Sequence, residues 1–303
     1  MLFRVIRVNL FVFFLIIMGL SNLAFANQPP LSLTISTWNI EWLSSENKKA
    51  PVKRTPEDIE ALHQIVNGLN ADIIALQEIN DIAAAQAVFG ERYEIILSDR
   101  STKKYADLQF KEINQYTGFA IKKGIPISDP TDVIFPHSKS KLRFGAYITL
   151  YPNTAHEVHV LSIHFKAGCT GAFRNKRSCR ILKDQGRSLS DWMISKEKKQ
   201  QQYVVLGDFN HNLSYNGDWL WKDITRPIQA KPNLMTKKTL SNCLIRSNKK
   251  SDKTHKFRYV IDHIITSPTI RSQNATQQLY DKAAVLAFKL SDHCPVQGGI
   301  TLQ

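Results

Sequence analysis

The chain has 303 residues, with 40 Lys and Arg against 26 Asp and Glu, a formal net charge of +14 at pH 7 and an isoelectric point near 9.6. That length suffices for one large domain or two ordinary ones, and a field of this sign concentrates polyanions such as nucleic acid or an anionic membrane surface. Beyond Ala26 no apolar stretch is long enough to span a bilayer, which excludes a chain built of membrane helices.

Arg4 and Arg7 are followed by the apolar stretch 9–20 and by Ala24-Phe25-Ala26 before the polar Asn27. That order of charged region, apolar region and small-x-small site predicts a secretory signal over residues 1–26, removed to leave an exported protein. The alternative, an uncleaved anchor, lacks a following stop-transfer segment. Residues 27–303 are expected to form a single domain, periplasmic or secreted, because no repeat, linker or composition shift divides them.

Apolar, β-rich runs predict strands at 33–37, 72–76, 93–97, 118–121, 144–150, 158–163, 203–206, 259–265 and 284–288. Several are continuous rather than alternating, as expected of strands covered on both faces. Helical periodicity is clearest at 57–69, where Ile59, Leu62, Ile65, Val66 and Leu69 share a face behind the start signal Thr55-Pro56. It recurs at 180–196, with Ile181, Leu182, Gln185, Leu189, Trp192 and Met193 on one side. The segment 246–256 reads as a polar, basic loop, and Trp219-Leu220-Trp221 as core packing rather than a membrane-inserting pair. Strands interspersed with helices predict a layered α/β (α+β) domain.

Four cysteines in an exported chain argue for disulfides. Four cysteines permit three connectivities; the favoured one joins Cys169 to Cys179 across a short Gly- and Arg-rich loop and leaves Cys243 for Cys294. Closing the short loop should contribute about 2 to 3 kcal/mol. The basic residues cluster, above all Arg174, Lys176, Arg177, Arg180, Lys183 and Arg187, with a second group at Lys139, Lys141 and Arg143.

Several predicted strands run into polar residues that a rigid scaffold would hold but leave projecting. These are Trp38-Asn39-Ile40, Leu76-Gln77-Glu78, Gly207-Asp208-Phe209-Asn210, Ile261-Asp262-His263-Ile264 and Ser291-Asp292-His293-Cys294-Pro295-Val296, with His164 after the run 158–163. In this order and at these intervals they resemble the endonuclease/exonuclease/phosphatase superfamily, the group that includes deoxyribonuclease I. The resemblance runs from about Leu31 to the C-terminus.

The resemblance implies two packed mixed β-sheets flanked by helices and a metal-dependent hydrolase of phosphodiester bonds. It makes Glu78 the principal ligand of a divalent cation, with Asn39 and Asp292 close to it. Mg²⁺ suits such oxygen donors, with Mn²⁺ or an added Ca²⁺ left open. Asp208 and Asn210 would orient or activate the attacking water, His293 would act on phosphate or water with Asp262 orienting it, and His164 would contact a phosphate oxygen or the leaving group. Glu112 is a loose match for a glutamate that supports the first histidine. Glu41 and His263 are expected to face elsewhere. Arg143, Arg174 and Arg177 are plausible contacts to substrate phosphate. Charge and export favour DNA as the substrate. A phospholipid phosphodiesterase or a phosphatase is the alternative, and an inactive nucleic-acid-binding module a third reading that the complete residue set opposes.

Overall fold

The protein is described by a computed structural model covering residues 29–136, 141–247, 250 and 252–303. The expected signal segment and Lys139 lie outside the described residues.

Two mixed sheets face one another. The first joins β1 (Leu31–Leu43), β2 (Ile73–Ile79), β3 (Tyr93–Leu97), β4 (Tyr116–Lys122) and β15 (Val296–Leu302), with short β13 (Arg271–Ser272) and β14 (Thr276–Gln277) on the β15 edge. The second runs β5 (Ile127–Ser128), β6 (Ala146–Leu150), β7 (Val158–His164), β8 (Gln202–Asp208), β12 (Asp262–Thr266) and β9 (Asn233–Leu234). Helices α1 (Pro56–Leu69) and α2 (Ile82–Phe89) cover the outside of the first sheet, and α3 (Arg177–Lys198) and α4 (Trp219–Thr225) the outside of the second.

Alternation along the strands builds this order of layers. In β2, Ile73 and Ala75 point into the core between the sheets while Ile74 and Leu76 pack with Leu62 and Val66 of α1. In β8, Val204 and Leu206 point inward while Tyr203 and Val205 meet Leu182, Leu189 and Met193 of α3. Strands clothed on both faces cannot alternate apolar with polar, so their sequences read as unbroken apolar runs. The start signal of α1 is a capping box: Thr55 Oγ1 accepts from Asp58 N, and the Asp58 carboxylate accepts from Thr55 N at 2.8 Å.

Three expectations are corrected. Residues 284–288 are not a strand: 284–287 belong to helix α5 (Lys282–Ala287) and Phe288 is its C-cap, while the first turn is capped by Asp281 Oδ1 accepting from Ala283 N and Ala284 N. The loop expected at 246–256 instead contributes to a hairpin between β10 (Leu244–Arg246) and β11 (Thr254–Lys256). Strand β12 begins only at Asp262, which leaves Tyr259 exposed in the preceding turn.

Both disulfides form with the expected pairing, Cys169 to Cys179 and Cys243 to Cys294, with Cα separations of 5.1 and 5.7 Å. Their loops span 10 and 51 residues, so chain entropy favours the longer. Cys294→Ala with Cys243→Ala should cost about 4 kcal/mol and Cys169→Ala with Cys179→Ala about 3 kcal/mol. Chemical denaturation under non-reducing conditions checks the order, and equal losses would argue against the entropic account.

Two buried histidines are neutral in the fold. Burial pushes His263 down to about 4, where Thr236 Oγ1 meets Nδ1 at 2.6 Å and Leu213 N donates to Nε2 at 3.1 Å. Burial, aided by Lys196, pushes His159 to about 4 as well. A depressed histidine contributes stability that is complete above its ordinary value of 6.5 and is lost as pH falls toward 4. The thermal midpoint should therefore drop across that window, and His159→Gln should flatten the slope; an unaltered slope in the variant would place the effect elsewhere.

Candidate functional site

Each sheet contains one parallel strand pair, β1 with β2 and β7 with β8, and the two pairs end at the same place. Asn39 and Glu78 stand at the ends of the first pair. His164 and Asp208 are direct register partners at the end of the second. Asp262, which opens β12, lies opposite Asp208, and Asp292-His293 lie in the turn that leads through Cys294-Pro295 into β15. All the residues singled out in the five motifs thus converge across the seam between the sheets.

Asn39 bridges the two sheets. Its Nδ2 donates to Glu78 Oε1 at 3.3 Å and to Asp208 Oδ2 at 3.2 Å, and its Oδ1 accepts from Glu41 N at 3.0 Å. Asn39 lies within β1 rather than beyond it, next to a register shift between Asn39 and Leu43. A matching irregularity separates Leu76 from Ile79 on β2. These bulges turn the chain so that Glu41, Trp42 and Glu78 adopt positive φ values of 48°, 54° and 63°. Left-handed backbone at bulky residues costs on the order of 1 kcal/mol or more each, a strain typical of sites where geometry is imposed.

Asp208 is fully enclosed. Its carboxylate accepts from Asn210 N at 2.7 Å and Asn210 Nδ2 at 3.1 Å, and lies 3.3 Å from His164 Nε2 and 4.0 Å from His293 Nε2. Gly207 makes this approach possible: its φ is 149°, and a Cβ there would stand 2.0 Å from the Ile163 carbonyl oxygen of β7. Burial, with Asp262 reinforcing it, pushes the Asp208 carboxyl up to about 7.

The two histidines are held in opposite states. His293 Nδ1 donates to Asp262 Oδ2 at 2.8 Å. Burial disfavours its imidazolium, but Asp262, Asp208 and Asp292 outweigh that cost and hold it well above the ordinary value. Burial together with the Arg143 guanidinium keeps His164 well below it. Arg143 Nη2 donates to His164 Nε2, so the imidazole proton sits on Nδ1, which is buried without a partner.

The loop carrying His293 is pinned from below. Tyr280 Oη donates to the His293 carbonyl, and Ser291 Oγ donates to Asn39 O at 2.6 Å while accepting from His293 N at 3.0 Å. Glu41 belongs to this site, contrary to the expectation that it faces elsewhere. Its Oε2 accepts from Asp292 N at 3.0 Å, and burial followed by repulsion from Asp292 raises its carboxyl to about 7. His263 does point away, toward Thr236 and Leu213. Glu112 is exposed, and no contact among the described residues joins it to His164.

Arg143 and Arg177 line a cavity of about 520 Å³ beside the site, with Trp42, Phe110, Lys141 and Lys166. Arg174 is exposed on the disulfide loop and does not line it. Neither Arg143 nor Glu41 carries a motif signal that separates it from surface charge; only their placement on the end of the fold does.

The oxygen donors of Glu78, Asn39 and Asp292 suit a hard divalent cation, and the neighbouring Asp208 and Asp262 carboxylates concentrate negative charge for it to offset. Asp208, Asp262 and His293 each present a ligand atom within 4.8 Å of the others, and Asp262 Oδ1 is buried without a partner. Glu78 and Asn39 face that group across the seam, and Asp292 Oδ1 lies 3.9 Å from His293 Nε2 on its other side. Carboxylates this close raise one another's proton affinity, and a cation relieves that repulsion.

The fold recurs in solved structures of low sequence identity. An endonuclease/exonuclease/phosphatase from Bacteroides vulgatus superposes with a TM-score of 0.60 at 16% identity, over 90% of this chain and all of that one. Sphingomyelinase C from Streptomyces griseocarneus gives 0.60 at 16%, over 89% and 99%. A mannosyl-6-phosphatase from Bacteroides thetaiotaomicron gives 0.57 at 15%, over 88% and 99%. No curated protein matches the chain significantly by sequence. The family model for the Endonuclease/Exonuclease/phosphatase family matches residues 36–293, which runs from the middle of β1 to His293. The chain therefore belongs to the endonuclease/exonuclease/phosphatase family, whose members are phosphoester hydrolases generally dependent on divalent metals.

Proposed function

We propose that this protein is an exported, divalent-metal-dependent phosphodiesterase that hydrolyses nucleic acid, with DNA as its principal substrate. The observation that carries the reading is the enclosed Asp208 carboxylate, which faces Asn39, Asn210, His164 and His293 together. A basic cavity alongside it and a net charge of +14 favour a polyanion. A phospholipid substrate draws no support from Trp219-Leu220-Trp221, because Leu220 is fully buried and Trp219 Nε1 donates to Gly171 O at 2.9 Å.

Glu78 would hold the cation, Mg²⁺ by donor preference, with Asn39 and Asp292 nearby, and when bound it offsets charge on the phosphoryl oxygens. Asp208, poised near neutrality, accepts the proton of the attacking water, while the amides of Asn39 and Asn210 fix the direction of its lone pairs. His293, kept charged by Asp262, presents Nε2–H to a phosphate oxygen and stabilises the charge that grows there. An incoming phosphate competes with His164 Nε2 for the Arg143 guanidinium, and the neutral imidazole is left to contact a phosphate oxygen by hydrogen bond.

Plasmid DNA should be nicked and degraded in Mg²⁺ and left intact in EDTA. Intact plasmid in both conditions, beside release of choline phosphate from sphingomyelin, would replace DNA with a lipid substrate. Asp208→Asn and His293→Ala should each lower kcat by roughly 10²- to 10⁴-fold, the contribution of a positioned proton-transfer group. Both should retain salt-sensitive DNA binding, measured by fluorescence anisotropy in EDTA. Undiminished turnover in either variant would remove that residue from the assigned role.

A further inference from the structure

Beside the site lies a second cavity of about 370 Å³ that the hydrolytic machinery does not use. Its walls are aromatic: Phe173, Tyr215, Trp219 and Tyr259 all line it. Phe173 is 40% exposed, Tyr215 66% and Tyr259 55%, an unusual concentration of uncovered rings around one hollow. These rings come from three segments, and each follows or precedes a strand end of the site. Phe173 follows β7 and His164; Tyr215 and Trp219 follow β8, Asp208 and Asn210; Tyr259 precedes Asp262 of β12. The cavity therefore opens at the same end of the second sheet as the scissile position.

Its walls are held in place before any ligand arrives. The Cys169–Cys179 disulfide closes the loop that bears Phe173, and Trp219 Nε1 donates to Gly171 O of that loop at 2.9 Å. Phe173 and Trp219 meet edge to face with centroids 5.2 Å apart. Buried His211 faces an acceptor with each ring nitrogen, Cys169 O at 2.7 Å and Asp218 Oδ2 at 2.7 Å, and so ties the segment after β8 to the disulfide loop. Cations surround the rings: Lys183 Nζ lies 5.2 Å from the Phe173 centroid, Lys237 Nζ donates to Ser214 O beside Tyr215, and Arg258 adjoins Tyr259.

We infer that this cavity receives one unpaired nucleobase of the substrate, stacked among Phe173, Tyr215 and Tyr259, and so directs the enzyme to single-stranded or frayed nucleic acid. Flat rings bordered by cations are the chemistry that holds a base and the phosphates beside it. A base inside a duplex is already stacked on both faces and offers no free face to these rings. The cavity walls are aromatic and polar rather than aliphatic, which suits a base better than an acyl chain. This inference rests on the proposed phosphodiesterase reading and narrows its substrate.

The test compares the full chain on a single-stranded DNA oligonucleotide and on one of equal length built of abasic deoxyribose units, with capture by sphingomyelin vesicles measured in parallel. The base-bearing strand should have the higher kcat/KM, through KM, and Tyr215→Ala and Tyr259→Ala should each reduce that preference by roughly 5- to 100-fold, as loss of one stacked base predicts. Equal cleavage of the two strands by the unaltered protein, or variants that keep the full preference, would overturn the inference while leaving the phosphodiesterase reading intact. Variants that release the protein from vesicles but not from the oligonucleotide would assign the rings to a lipid surface and overturn it as well. Failure of the unaltered protein to cleave either strand would overturn both.

Discussion

The structure hinges on the Asn39 side chain. Its amide donates to Glu78 from the first sheet and to Asp208 from the second, so two carboxylates on separate layers are held by one group. Beneath it, Gln77 Nε2 donates to Ser162 Oγ at 3.2 Å, and Ser162 Oγ donates to Leu76 O at 3.1 Å, which locks the register of the two parallel pairs. Apolar packing brings the sheets together without regard to direction. These polar links are directional, and they fix which strand ends meet.

The site stores unfavourable energy that the rest of the fold supports. Glu41 and Asp208 are both raised to about 7, Arg143 is driven below its ordinary value by burial, and three bulky residues hold left-handed backbone. A stable carboxylate cluster would have chosen water or an arginine for each member. Here the arginine instead faces a neutral imidazole, an arrangement that leaves its charge available. Burial among Leu76, Ile163 and Leu206, which are inaccessible to solvent, offsets such costs at about 25 cal/mol per Å² of apolar surface. The burden is concentrated where an anionic substrate and a cation would relieve it.

Much of this was legible in the chain because the local signals are strong. Continuous apolar runs that give way to Asn39, Glu78 and Asp208 marked strands covered on both faces, and Thr55-Pro56 marked the start of α1. What escaped detection depends on tertiary context. The stretch 284–288 is apolar enough for a strand, but Asp281 caps its preceding alanines and makes a helix of it. Glu41 resembles an ordinary strand residue until the bulge after Asn39 reverses the alternation and turns its carboxylate toward Asp292. Arg143 is expected as a phosphate contact, but its pairing with His164 was not legible, because only the placement of β6 brings the two together.

The disulfides show how loops can carry such a site. Cys294 directly follows His293, and its bond to Cys243 anchors the imidazole to the segment that leads into the β10–β11 hairpin. Cys169 lies five residues beyond His164, and its bond to Cys179 joins that loop to the first turn of α3. Among the described residues neither loop carries a strand or helix at its tip, so side-chain hydrogen bonds and its disulfide hold it. Covalent closure removes freedom from the unfolded chain rather than adding contacts to the folded one. The chain thereby keeps strained, charged residues in position using bonds that persist in an oxidising compartment, a feature compatible with an exported protein.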